Sequence, residues 1–410
     1  MANRREFLTL LGLGVGASTL TLWPSLTSAA TGGNTRLLVL MLRGGLDGVH
    51  AVPPYGDPGY TALRGPLALS PAGPTAAGAA ALKLDATFAL HPSLGFLAGQ
   101  YALGRCLPIV AAAPPYWGRS HFEAQECVEN GTDTPNGAET GWLNRAAGAL
   151  HEHGLSVTSV TPLMMRGPSK IDSWSPPLPM HVNPILLQRL ESLYAEDPRL
   201  ATAFADAIAQ QHVDASIDRQ MAAQAPGAAA PKVIGMRLGV MLRAAGTFMA
   251  RPGGPRICFV EDYGWDTHAN QAPILSRKLA ELDQALAALH DAAAPVWDRT
   301  AAVVVTEFGR TARINGTNGT DHGTGGAMFV LGGAVNGGRI GGEWPGMQPD
   351  RLYENRDIHA TTDQRQVFKG LLGEHLGLSP AVLATRIFPN STRVPPLAGL
   401  IGTPAVRALG

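Results

Sequence analysis

The chain has 410 residues, 45% of them hydrophobic and 16% charged, with 32 basic residues against 32 acidic ones. That is enough apolar material for one large domain or two ordinary ones. With a formal charge of zero, nothing suggests a nucleic-acid footprint, which would need a basic stripe.

The first 30 residues read as an export signal. Asn3-Arg4-Arg5-Glu6-Phe7-Leu8 is a twin-arginine pattern, followed by the apolar Leu8–Leu22, then Pro24 and the small-residue segment Thr27-Ser28-Ala29-Ala30. The apolar run, roughly 15 residues, is shorter than the roughly 20 that span a bilayer. The reading adopted is therefore cleavage near Ala29 or Ala30 rather than an uncleaved anchor. It implies the Tat translocon as a transient partner, a periplasmic or secreted location, and no stable membrane span after cleavage. Cys106, Cys127 and Cys258 match no zinc spacing. Two could pair in an exported protein, and none is assigned a function.

Residues 31–410 read as a single α/β domain. Arg36–Leu42 is a continuously apolar strand candidate. It runs into Arg43-Gly44-Gly45-Leu46-Asp47-Gly48, whose glycines permit a tight turn with Asp47 at the strand's carboxyl end. Asp47 there is either an Asx-turn residue or a ligand. Pro53–Ala81 is a Pro/Gly-rich surface excursion, Ser93–Ala102 a helix and Leu107–Ala112 a strand. Ser120 then stands ready to cap a helix from His121, with Glu123 as its capping-box partner. A hydroxyl at a helix N-terminus after a strand also lies in an anion site, where a serine nucleophile for a phosphoryl group would be placed. Leu155–Pro162 reads as a strand and Met164–Pro184 as loops beside the site's mouth. Ala201–Gln224 and Val233–Met249 read as helices around an Ala/Pro/Gly spacer, Ala225–Pro231. Residues 150–250 thus form a cap-like elaboration of the same fold.

The densest stretch follows. Gly264-Trp265-Asp266-Thr267-His268 precedes a helix in which Leu275, Leu279, Leu282, Leu286 and Leu289 share one face. The β-branched strand Ala301–Val305 then leads to Thr306-Glu307-Phe308-Gly309-Arg310, and Gly319-Thr320-Asp321-His322-Gly323 precedes a strand at Met328–Leu331. Thr361–Leu372 starts a terminal helix. Ligands of open α/β sheets bind at the carboxyl ends of the strands, so Asp266, His268, Glu307, Asp321 and His322 can converge there. Two imidazoles and a carboxylate (Asp266, His268, His322) suit zinc. Asp47 and Glu307 offer oxygens to a second, harder cation such as magnesium, manganese or calcium. The cofactor expected is one or two divalent ions, zinc first. Two ions roughly 4 Å apart can clamp the attacking and leaving oxygens of a phosphoryl transfer.

The twin-arginine start and the segments Leu42–Gly48, Arg119–Gln125, Gly264–His268, Thr306–Arg310 and Gly319–Gly326 resemble the exported family called domain of unknown function 1501. That family is similar to the alkaline phosphatase/sulfatase superfamily. The resemblance implies an alkaline-phosphatase-like three-layer α/β sandwich, with a mostly parallel central sheet and helices on both faces. It implies a metal-dependent hydrolase or transferase of phosphate- or sulfate-type esters. By position, Ser120 resembles the nucleophile, and Asp47, Asp266, His268, Glu307 and His322 resemble metal ligands. Phe308 departs from the superfamily pattern, which has histidine there, so a second metal would need Asp321, His121 or His50. Arg119, Arg43 and Arg310 are candidates to neutralise ester oxygens, because guanidinium offers a planar fork. The long Pro/Gly loops also suit an envelope glycan or lipid as substrate. A degenerate envelope scaffold is the non-enzymatic alternative.

Overall fold

Burial on both faces dictates the central strands. The computed structural model describes residues 34–176 and 237–402. β1 (Arg36–Arg43) is buried along its whole length, as a strand covered by helices on both sides must be. A small antiparallel pair, β2 (Leu82–Lys83) and β3 (Ala89–Leu90), stands apart. The remaining strands are β4 (Cys106–Ala113), β5 (Gly154–Val157), β6 (Ile171–Trp174), β7 (Ile257–Tyr263), β8 (Thr300–Thr306), β9 (Gly326–Leu331) and β10 (Thr362–Asp363). With β1 they form one eight-stranded sheet in the order β10-β4-β9-β8-β1-β7-β5-β6. Every pairing is parallel except those of β9 with β4 and β8.

The helices are α1 (Gly48–Ala51), α2 (Tyr60–Arg64), α3 (Gly95–Ala102), α4 (His121–Asn130), α5 (Trp142–Ala149), α6 (Arg237–Ala250), α7 (Gln271–Ala292) and α8 (Gln364–Gly370). The two-residue period of β1 sorts the layers. Leu38, Leu40 and Leu42 join one core with residues of α3, α6 and α7. Leu37, Val39 and Met41 join the other, with residues of α4, α5 and α8. The expected three-layer α/β architecture with a mostly parallel sheet is the one observed. The leucine stripe of α7 is fully buried. The same helix reaches across with Asp283 to accept from the Phe96 and Leu97 amides at 2.8 and 3.0 Å, capping α3 from outside its own sequence.

Four local readings change. β5 stops at Val157 instead of Pro162. The stretch read as loop from Met164 contains β6, which pairs in parallel with β5; four residues of mixed exposure carry too little pattern to announce an edge strand. Thr362–Asp363 is a strand before it is a helix entry, with Asp363 forming a capping box. The box expected at Ser120 does not form: its side chain makes no capping bond, and Glu123 accepts from the Tyr116 hydroxyl instead. The signal segment, Ala201–Gln224 and the Ala225–Pro231 spacer lie outside the described residues. All three cysteines are free and buried. Among the described residues no helix is long and apolar enough to cross a membrane.

Candidate metal centre

The carboxyl ends of β1, β4, β7 and β8 meet at one edge of the sheet. Because β9 is antiparallel, its entry loop, Gly319–Gly325, arrives there too. β8 delivers Glu307, the loop after β7 delivers Asp266 and His268, the entry loop to β9 delivers Asp321 and His322, and the first residue of α4 is His121. Two glycines let the backbone close in. Gly44 (φ +122) passes so near the Asp266 amide that a Cβ would lie 2.6 Å from it, and a Cβ on Gly45 (φ +71) would strike the Phe308 ring.

Three imidazoles and one carboxylate come together. Nε2 of His322 lies 3.0 Å from Nε2 of His121 and 3.0 Å from Nε2 of His268. Asp266 Oδ1 is 2.9 Å from His268 Nε2 and 3.4 Å from His322 Nε2, and its Oδ2 is 3.5 Å from His121 Nε2. The ligand atoms of His121, Asp266 and His322 all lie within 4.8 Å of one another, and His268 Nε2 stands as close to Asp266 and His322. His268 flanks the trio through its contacts to Asp266 and His322.

The opposite ring nitrogens settle where the protons go. Nδ1 of His121 meets Glu307 Oε1 at 2.8 Å, Nδ1 of His268 meets Asp321 Oδ1 at 3.1 Å, and Nδ1 of His322 meets the Arg119 carbonyl at 3.1 Å. Carbonyl and carboxylate oxygens only accept, so each neutral ring carries its proton on Nδ1. Three bare Nε2 lone pairs and an anionic carboxylate then face one another at van der Waals distance or less. Arg310 Nη1 balances Asp266 Oδ1 at 2.8 Å and reaches His268 Nε2 at 3.5 Å, but the facing Nε2 atoms of His121 and His322 repel unless a proton or a metal cation lies between them. Metal-bound histidines characteristically donate their outer nitrogen to an oxygen in this way, so the residues fit a divalent ion of the zinc type.

The same contacts set the electrostatics. Burial pushes the Glu307 carboxyl up, but hydrogen bonds from His121, Gln125 and Gly44 outweigh it and hold it below its ordinary value. The Glu307 hydrogen bond in turn raises His121. Burial, then the neighbouring His121, lowers His322. Asn315 and His268 hold Asp321 down. The cluster is open on one side, with the Asp266 and His268 side chains 41% and 43% exposed. Phe308 backs it on the other, its ring 4.7 Å from that of His121 and 5.0 Å from that of His322.

The remaining sequence candidates fall elsewhere. Asp47 is fully buried and filled with donors. Its Oδ2 accepts from the Arg64 guanidinium, from Gln271 Nε2 at 2.6 Å and from the Thr320 hydroxyl at 3.4 Å, and its Oδ1 takes the His50 amide at 3.1 Å. Glu307 is equally occupied, by Gly44 N–H, Gln125 Nε2 and His121, each at 2.8 Å. The structure therefore does not assemble these two carboxylates into a second ligand set. His50 is buried beside His91, and Asp321 supports His268. The three arginines are all turned onto carboxylates: Arg43 onto Glu129 and Glu261, Arg119 onto Glu354 and Asp357, and the buried Arg310 onto Asp266 at 2.8 Å. Ser120 is half-buried, between Arg119, whose carbonyl holds His322, and His121.

Sequence reasoning ranked His121 as a substitute and missed Gln125 and Arg64. The spacing of His121 and Gln125, one turn apart on the same helix face, was the available signal for Gln125. Nothing in the sequence points from Arg64 to Asp47.

A mostly parallel three-layer sheet with a histidine/aspartate cluster at its carboxyl edge thus defines an α/β protein with a metal-type site. The chain belongs to the DUF1501 family, described as a protein of unknown function, whose model matches residues 115–387. No curated protein matches it. Among solved structures it is similar to the C-terminal periplasmic domain of EcEptC from Escherichia coli, crystallised in complex with zinc. There the identity is 10% and the TM-score 0.36, over 73% of this chain and 74% of that one. It is also similar to the lipoteichoic acid synthase LtaP from Listeria monocytogenes (8% identity, TM-score 0.38, 88% and 76% covered). A third likeness is to a protein in the alkaline phosphatase superfamily from Vibrio parahaemolyticus (11%, 0.34, 76% and 64%). Similarity at this level carries no residue-by-residue correspondence.

Proposed function

We infer that the chain is an exported hydrolase or transferase of phosphate- or sulfate-type esters, with one divalent ion held by His121, Asp266 and His322 and flanked by His268. One observation carries this reading: the Nε2 atoms of His121 and His322 stand 3.0 Å apart while their Nδ1 atoms face oxygens of Glu307 and the Arg119 carbonyl. A bound ion would supply Lewis-acid polarisation of an ester oxygen. The protein's own residues do the rest. Glu307, Asp321 and the Arg119 carbonyl orient the rings, Phe308 keeps water from their inner side, and the exposed Asp266/His268 side admits substrate.

Ser120 is the proposed nucleophile. Its Oγ would displace the alcohol at phosphorus or sulfur, forming a seryl ester while the hydroxyl proton leaves with the alcohol oxygen. Water, or an envelope glycan or lipid hydroxyl as acceptor, would then release it. Export by the twin-arginine route, with a periplasmic or extracellular destination, belongs to the same reading and rests on Arg4, Arg5 and the apolar run behind them.

The test is metal content of the natively exported protein, joined to a monoester, diester and sulfate-ester screen of wild type, Ser120→Ala and His322→Ala. About one ion per chain, with turnover lost in both variants, is expected. Less than about a tenth of an ion per chain would overturn the reading in favour of a scaffold.

A further inference from the structure

Four side chains behind the cluster form a directed chain of hydrogen bonds that reaches back to β1. Arg43, the last residue of β1, has its guanidinium buried between two carboxylates: Nε donates to Glu261 at 2.7 Å and Nη1 to Glu129 at 2.8 Å. Nη1 also donates to Gln125 Oε1 at 2.8 Å. A guanidinium has no acceptor, so this contact fixes which end of the Gln125 amide is oxygen. Its other end, Nε2, must then donate, and it does so to Glu307 Oε1 at 2.8 Å. That same oxygen receives the Gly44 amide and faces His121 Nδ1. Flipping the amide would set NH₂ against guanidinium and carbonyl against carboxylate, two repulsions in a low-dielectric site.

We propose that Gln125 is a positioning residue, polarised by Arg43, that keeps Glu307 an acceptor and so fixes the His121 imidazole with Nδ1 protonated and Nε2 bare toward Asp266 and His322. This rests on the metal-site reading above for its purpose but not for its test. Direction is what makes the relay specific. Arg43 can only donate, Glu307 can only accept when ionised, and the amide of Gln125 accepts at one end and donates at the other. Glutamate at 125 would accept from Arg43 and also turn an anion toward Glu307. The two anions would repel, the Glu307 oxygen would leave its place, and His121 would lose its fixed acceptor. Leucine would remove both bonds without adding charge. Glutamine's place on α4 is also geometric: one turn after His121, it reaches the same oxygen that the imidazole reaches. The arginine expected to face substrate thus works inward, as the fixed end of a line that terminates on a ring nitrogen.

The experiment uses the full mature chain in two states. In the zinc-free protein, long-range nitrogen–proton NMR of the imidazoles reads the His121 tautomer. In the same preparations, competition with a chromophoric chelator reads zinc affinity. Wild type, Gln125→Glu, Gln125→Leu and Arg43→Lys are compared, with circular dichroism and thermal melting to show that each is folded. The inference expects the Nδ1–H form to dominate in wild type, and the Nε2–H form to grow in Gln125→Glu and Gln125→Leu. It also expects zinc affinity to fall by about 10–100-fold in both, the usual scale for an outer partner of a ligand. Arg43→Lys, which keeps a cation but not the fork, should give an intermediate tautomer ratio. An unchanged tautomer ratio in a folded Gln125→Leu overturns the relay, whatever zinc does. Absence of zinc binding in wild type overturns the metal reading instead, and the tautomer ratios still decide the relay.

Discussion

His121 and His322 point their Nε2 atoms at each other across 3.0 Å, and the Nδ1 of each faces an oxygen on the far side of its ring. Charge between them is therefore the variable that the rest of the site responds to. Removing a bound ion should cost stability, because anything that binds only the folded state adds to it by mass action, about 2.7 kcal/mol at a hundredfold excess over Kd. We expect a chelator to lower the melting temperature of wild type by several degrees and to leave His322→Ala and His121→Ala unmoved. Differential scanning calorimetry with and without chelator checks this; an equal response in the variants would place the ion elsewhere.

Asp47 gives the opposite expectation. Its partner Arg64 is fully buried, so Asp47→Ala strands a charge inside the protein. Breaking a buried pair costs about 3–5 kcal/mol. Urea unfolding should show a loss of that order, while the folded fraction keeps its ion. Loss of the ion at full stability would instead make Asp47 a ligand.

Acid should weaken the fold through histidines far from the site. Burial lowers His50 to about 4, His91 to about 3 and His375 to about 4, from 6.5. Below 6.5 the unfolded chain takes up protons that the folded one refuses. The stabilisation from keeping these rings neutral is thus complete above 6.5 and is lost as pH falls toward 4, with a slope approaching about 1.4 kcal/mol per pH unit for each ring. His375 donates from Nε2 to the Arg36 carbonyl at 2.9 Å, a bond glutamine can imitate. His375→Gln should flatten the decline between pH 6 and 4, as read by denaturant midpoints. A steeper decline would contradict the burial argument.

Gly44→Ala tests the turn. At φ +122 with a Cβ 2.6 Å from the Asp266 amide, alanine must shift the loop after β7. We expect a stability loss on the order of 1–3 kcal/mol and weaker metal binding, both measured on the same preparation. An alanine variant with wild-type affinity would mean that the two loops move independently.

Much of this was legible in the residues. The strands around Leu37–Leu42 and Ala301–Val305 announce themselves by unbroken apolar runs, because a strand covered on both faces has no polar side to show. Asp266, His268 and His322 were legible as a group through their places beside such strands. What sequence could not supply was occupancy. Asp47 and Glu307 look like ligands as residue types. Only packing shows that Arg64 fills one and that Gly44, Gln125 and His121 fill the other. His121 was underrated because its partners are 186 and 201 positions away. Edge strands β6 and β10 were lost for a different reason: two to four residues do not establish a period.

The position of β1 has a practical consequence for anyone cutting this gene. The family model's match begins at residue 115, after both β1 and β4 in the chain. Yet β1 lies between β8 and β7 in the finished sheet, with Leu40 opposite both Val260 and Val304. A fragment trimmed to the matched region would have to bridge a missing strand at its middle, leaving two raw ladders of unpaired amides and carbonyls. Expression boundaries for this family should be set by the sheet, starting upstream of Arg36, and not by where the recognisable sequence starts.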